Sequence, residues 1–230
     1  MKIIFVAMLV GAVLFPLSGE SSRPVEVTLT GCVLGNTFYS IKADRAYPIR
    51  FSPPLDLTPH EGKTLTIQGW LSPGDRFSPL KGKSPRVVKD TCDADARRAI
   101  NKLYSVQYRI DALKAAKNGD FQNAFLLIEK ALELDRTDCD TYTDRAHIHC
   151  IRDDFEAVAR DVAVIKTGAC ASPRKANFLL LEDLGKLLES KGKKQEAIEV
   201  YTIALDACAS YGTEICRESI ERDMQNLFRR

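Results

Sequence analysis

The sequence predicts an α+β chain in two parts, a small all-β unit followed by an all-α stack of helical repeats that ends in a capping helix. Three observations carry this. Short runs between residues 25 and 91 alternate apolar and polar side chains and are punctuated by glycine and proline, as half-buried strands are. Residues 105–211 instead repeat a polar turn and an amphipathic helix at intervals of roughly thirty-four residues. Between them, from Asp93 to Lys117, no proline interrupts a helix.

The chain of 230 residues divides accordingly into 1–22, 23–92 and 93–230. The first segment reads as a secretory signal peptide, with Lys2, an apolar run from Ile3 to Phe15 and a small-residue exit near Ser18 to Ser22. An uncleaved anchor is the competing reading, but the run is short for a membrane span of about 20 residues. A lipoprotein-like box ending at Cys32 lies too far beyond the apolar run to be processed. The expected location is therefore periplasmic or secreted, with no integral membrane span after cleavage. A net charge of +2 gives no general case for a nucleic-acid partner.

In the β unit, Val25, Val27 and Leu29 alternate with Glu26, Thr28 and Thr30. Runs at Thr37–Ile41, Tyr47–Phe51 and Thr64–Gln68 follow, and Arg86–Lys89 is expected as the fifth strand. The run Glu61–Gly69 resembles the fourth strand of small OB-like domains of bacterial envelope proteins, which implies a small barrel. Arg76, Lys81, Lys83, Arg86 and Lys89, with Trp70 and Phe77 nearby, imitate a single-strand nucleic-acid platform. Ten Lys and Arg against eight Asp and Glu between Glu20 and Asp93 leave only +2, however, and export removes the chain from cytosolic nucleic acid. The basic stretch is read as a solvated loop between two strands. An anionic glycan, a lipid headgroup or an acidic protein face are its remaining partners.

Asp93 is the expected N-cap of one long helix to Lys117, which joins the two parts rigidly. Beyond it, Lys117–Phe125, Arg152–Ala159 and Lys191–Glu199 fall into register as turn-plus-helix segments. Ala124 and Ala131 share one helix face, and Ala197 and Ala204 repeat that arrangement, so that small side chains admit the paired helix. Val158 and Ile165 stand at those positions in the middle unit, whereas Leu184–Gly185 completes the pattern in the third. These segments resemble the tetratricopeptide repeat (TPR), with units at about 105–138, 139–172 and 178–211 and a cap at 213–230.

That resemblance implies a concave groove lined by the first helix of each unit. Its groove-facing positions would be Arg109, Leu113 and Lys117, then Thr143, Asp144, His147 and Cys150, then Leu179, Glu182, Asp183, Lys186 and Glu189. The lining would grade from basic to acidic. Some TPR cofactors of chaperones hold a C-terminal carboxylate with Lys, Asn and Arg. Asp144 and Asp183 stand where Asn and a basic residue are needed, which argues against that ligand.

The repeat geometry also bears on the seven cysteines. Cys139 opens the first helix of the middle unit and Cys170 follows its second, ends that lie side by side in an antiparallel pair. Cys208 and Cys216 flank the start of the cap, and Cys32 and Cys92 belong to the β unit. These are the expected pairs, other pairings remain open, and Cys150 is left over. His147 and Cys150 share a helix face but two ligands make no metal site, so no metal and no cofactor is expected. No nucleophile arrangement, phosphate loop or paired-carboxylate signature points to an enzyme. The expected function is an exported interaction scaffold that binds a peptide or partner protein of the envelope in the TPR groove. Small-ligand or anionic-glycan binding by the barrel, with the helices as a mount, is the alternative.

Overall fold

The computed structural model describes residues 23–42, 45–72, 76–170, 172, 174, 176–211 and 214–229. The proposed signal peptide, residues 1–22, lies outside them.

Strands β1 (Val25–Leu34), β2 (Thr37–Lys42), β3 (Arg45–Phe51), β4 (Thr64–Ser72) and β5 (Arg76–Pro79) close a barrel of OB-like form. The order is β1-β2-β3-β5-β4, and β4 returns to β1 over the register Val25–Leu71 to Cys32–Thr64. All neighbours are antiparallel except β3 and β5, which run parallel through Arg50–Arg76 and Phe51–Phe77. Inward positions fill the core with Val33, Phe38, Leu57, Leu65, Ile67 and Phe77. At Gly69 a side chain would run into the Ser78 carbonyl and the Phe77 ring, so β4 and β5 approach closely only because nothing stands there.

The fifth barrel strand is not the one expected. Arg76–Pro79 fills that place, inside the stretch read as a solvated loop, because Phe77 is fully buried and anchors it. Arg86–Lys89 forms instead a short sixth strand, β6, on the same edge of β4. One buried phenylalanine between an arginine and a serine, with a proline at the strand end, carries no visible alternation.

Helix α1 (Ala94–Lys117) begins where Asp93 caps the Ala96 amide at 2.9 Å. Its first turns bury Ala96, Ala99 and Ile100 against Cys32, Tyr39, Ala46 and Cys92 of the barrel. The Tyr39 and Tyr104 hydroxyls are hydrogen-bonded across this junction. The remaining helices are α2 (Phe121–Leu134), α3 (Cys139–Ile151), α4 (Phe155–Thr167), α5 (Phe178–Ser190), α6 (Lys194–Tyr211) and α7 (Glu214–Arg229). Asp120, Asp138, Asp154 and Asn177 cap α2 to α5 with their side chains. The tight turns inside the three pairs α1–α2, α3–α4 and α5–α6 each need a left-handed residue. Gly119 and Gly192 supply it in the outer two, with φ of 80° and 75°, and Asp153 in the middle one, with φ of 62°.

The core of the stack runs through Ile148, Val158, Ile165, Leu181, Leu184, Tyr201 and Ala204. Helix α7 closes it with Cys216, Ile220 and Leu227, which join the same cluster. Disulfides link Cys32 to Cys92, Cys139 to Cys170 and Cys208 to Cys216, while Cys150 is free and buried. Three such bonds fit a non-reducing, extracytoplasmic environment. Among the described residues no helix is long and apolar enough to cross a membrane.

Candidate functional site

The first helices of the three pairs carry the candidate groove, and their side chains divide into two groups. One group has turned inward to hold the stack together. Arg109 of α1 donates from Nε to Asp144 of α3 at 2.6 Å and from Nη1 to Asp138 at 3.0 Å, with Asp140 at 3.6 Å. Asp140 in turn accepts the Asn177 amide at the start of α5, at 2.6 Å. One guanidinium and three carboxylates thus tie three successive first helices to one another. Asp144 is 2% exposed, and burial pushes its carboxyl up to about 6 despite the attraction of Arg109; Asp138 and Asp140 push the same way.

The next step of the stack repeats this device. Glu182 of α5 is 6% exposed and accepts from Lys186 at 2.5 Å and from the Ser219 hydroxyl of α7 at 3.1 Å. Lys186 lies 3.3 Å from Asp223 of α7. Arg109, Asp144, Glu182 and Lys186 were expected to line a groove open to a ligand. Here they serve as joints: Arg109 and Asp144 tie α1 to α3, while Glu182 and Lys186, paired with each other along α5, meet Ser219 and Asp223 of α7, with Lys186 still half exposed. Thr143 and Cys150 are buried as well. Burial raises the Cys150 thiol to about 11, which leaves it inert rather than nucleophilic.

The second group faces solvent. Val106, Ile110, Leu113 and Lys117 recur at helical spacing along one face of α1. Ile110 is 56% exposed and Leu113 half-buried. On α3, His147 is half-buried, with Nδ1 3.2 Å from the Thr143 carbonyl oxygen. Burial lowers its pKa, Asp183 of α5 raises it and Lys117 of α1 lowers it. Lys117 of α1 and Asp183 of α5 therefore both come within electrostatic reach of His147 on α3. Leu179, 55% exposed, lies one helical turn before Asp183 on α5. Glu189 is half-buried near the end of that helix. Val106 and Ile110 escaped the sequence reading; their signal is an apolar spacing on α1 beyond what one buried stripe requires.

Behind α3 a second polar cluster forms. Arg145 reaches Asp161 of α4 and Glu129 of α2, each at 2.7 Å, and its guanidinium pKa is raised by these carboxylates against the effect of burial. His149 stacks on Phe125 with ring centroids 4.7 Å apart. Burial lowers its pKa. Among the described residues no three His, Cys, Asp or Glu side chains converge as a metal cage requires.

No family profile matches the chain, and no curated protein does. Among solved structures it is similar to the N-terminal domain of stress-induced protein-1 from C. elegans. That likeness covers 53% of this chain and 95% of the other, at 14% identity and a TM-score of 0.36.

Proposed function

We propose that the chain is an exported protein-interaction module of the TPR type that binds an extended peptide or a partner helix across α1, α3 and α5. One observation carries the reading. Val106 and Ile110 stand exposed on one face of α1, continued by the half-buried Leu113, along the helix from Lys117 and its neighbours His147 and Asp183. Single exposed apolar residues are ordinary, but several on one face beside charges of both signs match the apolar centre and polar rim of an interface. A ligand that places an apolar side chain on the stripe and complementary charges toward Lys117 and Asp183 would satisfy both parts. The protein acts by binding and needs neither cofactor nor metal. The signal-peptide pattern of residues 1–22 and the three disulfides support a periplasmic or secreted location.

The test is in situ crosslinking of the full chain in its native host, followed by affinity measurement with the recovered partner. Ile110→Glu and Asp183→Lys should each weaken binding about tenfold or more, since truncated interface anchors cost upwards of about 1.4 kcal/mol. Both residues are exposed, so melting temperatures should hold within a few degrees. Unchanged affinity in both variants would sink the proposal.

A further inference from the structure

The barrel carries a second surface, independent of the helical face. A cleft of about 920 Å³ opens between the segment that leaves β3 and the segment that leaves β5. Pro53, Pro54 and Leu55 form one wall, Pro79 and Leu80 the other, and Trp70 of β4 lies between them. On β4, Leu65 and Ile67 point into the core, and the alternation sends Trp70 outward, where it is 42% exposed. Lys81 and Lys83 stand exposed at the rim, and among the described residues neither ammonium group has an ion-pair or hydrogen-bond partner. Glu26, across from Trp70 on β1, is the carboxylate closest in register.

We propose that this cleft binds an acidic saccharide, with one sugar ring stacked on Trp70 and its carboxylates met by Lys81 and Lys83. A pyranose offers an apolar C–H face, a rim of hydroxyls and, in a uronic acid, a carboxylate. The cleft offers the matching indole face, the Ser52 and Ser78 hydroxyls and two free ammonium groups. Its prolines fix the local backbone, so the site is formed before the ligand arrives and little ordering is lost on binding.

Two other anions fit less well. A single nucleic-acid strand needs successive aromatic platforms, and Phe77, the second aromatic of this stretch, is sealed in the barrel core at 0% exposure. A fatty acid needs an enclosed apolar channel, whereas this cleft is open to water and edged by hydroxyls.

Trp70 is the chain's one tryptophan, so its emission reads the site directly. The full chain is titrated at low salt with tetragalacturonate, with maltotetraose as a neutral counterpart. The expected result is a saturable change in emission, weakened about tenfold or more in Lys81→Ala/Lys83→Ala and for the neutral sugar. Asp183→Lys should leave it unchanged, which separates this site from the helical one. No saturable change, equal affinity for maltotetraose, indifference to the lysine substitutions, or tighter binding of oligothymidylate or dodecanoate would each overturn the proposal.

Discussion

Asp144 shows how one residue can be assigned correctly to a helix and still be misplaced in function. Its position on α3 follows from the repeat, but its exposure depends on Arg109, thirty-five residues away, and on how far α1 rotates against α3. No local pattern contains that rotation. The buried pair has a consequence that can be measured. The Asp144 carboxyl sits at about 6 in the folded chain against about 3.9 in an unfolded one. Between those values the native state holds a proton that the unfolded state has lost, so stability falls as pH rises through the window. The term is present below about pH 4, is lost above about pH 6, and amounts to a few kcal/mol. His147 and His149, both lowered by burial, act with the opposite sign, contributing stability that is lost as pH falls below about 6.5. Asp144→Asn isolates the carboxyl, because its amide oxygen still accepts from Arg109 while nothing at that position titrates. Urea unfolding at pH 4 and pH 6.5 should show the parent chain losing a few kcal/mol relative to the variant as pH rises. Parallel profiles would mean that the carboxylate is stabilised by Arg109 as fully as it is by water.

At the level of elements, much was written plainly in the chain. Asp93, a proline-free run and a polar turn at Asn118–Gly119 delimit α1, and the repeat spacing sets α2 to α6. Gly185 is legible too, since a side chain there would collide with the Tyr201 ring, and that contact lets α5 and α6 approach. Strand β5 was not legible, because four residues with one buried side chain carry too little periodicity to separate from a loop. The partnering of Arg109 with α3, and of Glu182 and Lys186 with Ser219 and Asp223 of α7, was hidden for the reason given for Asp144. The sequence predicts helix α7 as the cap of the stack. In the structure its Ile220, Met224 and Leu227 lie against the core of the last pair, and Ser219 and Asp223 meet Glu182 and Lys186. Ile215 and Phe228 remain outside this contact, 81% and 73% exposed. Removing residues 213–230, with Cys208→Ser to avoid a stray thiol, should cost several kcal/mol, since each buried aliphatic side chain contributes about 1.5–3 kcal/mol. The checks are a lowered melting temperature and new binding of an apolar dye. A soluble, equally stable product would show that the last pair closes without α7.

For the whole molecule, the question is whether the two candidate surfaces belong to one rigid body. Helix α1 spans 24 residues, about 36 Å at the standard rise, and packs on the barrel at one end and on α2 and α3 at the other. Three further features brace the junction: the Cys32–Cys92 bond beside the helix start, the Ala96, Ala99 and Ile100 contact, and the Tyr39–Tyr104 pair. A continuous helix held on both halves leaves no hinge, since hinges need a few residues free to absorb backbone rotation. Trp70 sits in the barrel, so its time-resolved anisotropy reports whether the barrel tumbles alone or with the repeats. Beyond the fast wobble of the ring, the parent chain should show one slow correlation time, that of the entire particle. Inserting Gly-Gly-Ser between Tyr104 and Ser105 breaks the helix where the barrel contact ends and should add a faster component while leaving the barrel folded. If the parent already shows that faster component, α1 does not hold the two surfaces at a fixed angle, and a ligand spanning both would have to order the junction on binding.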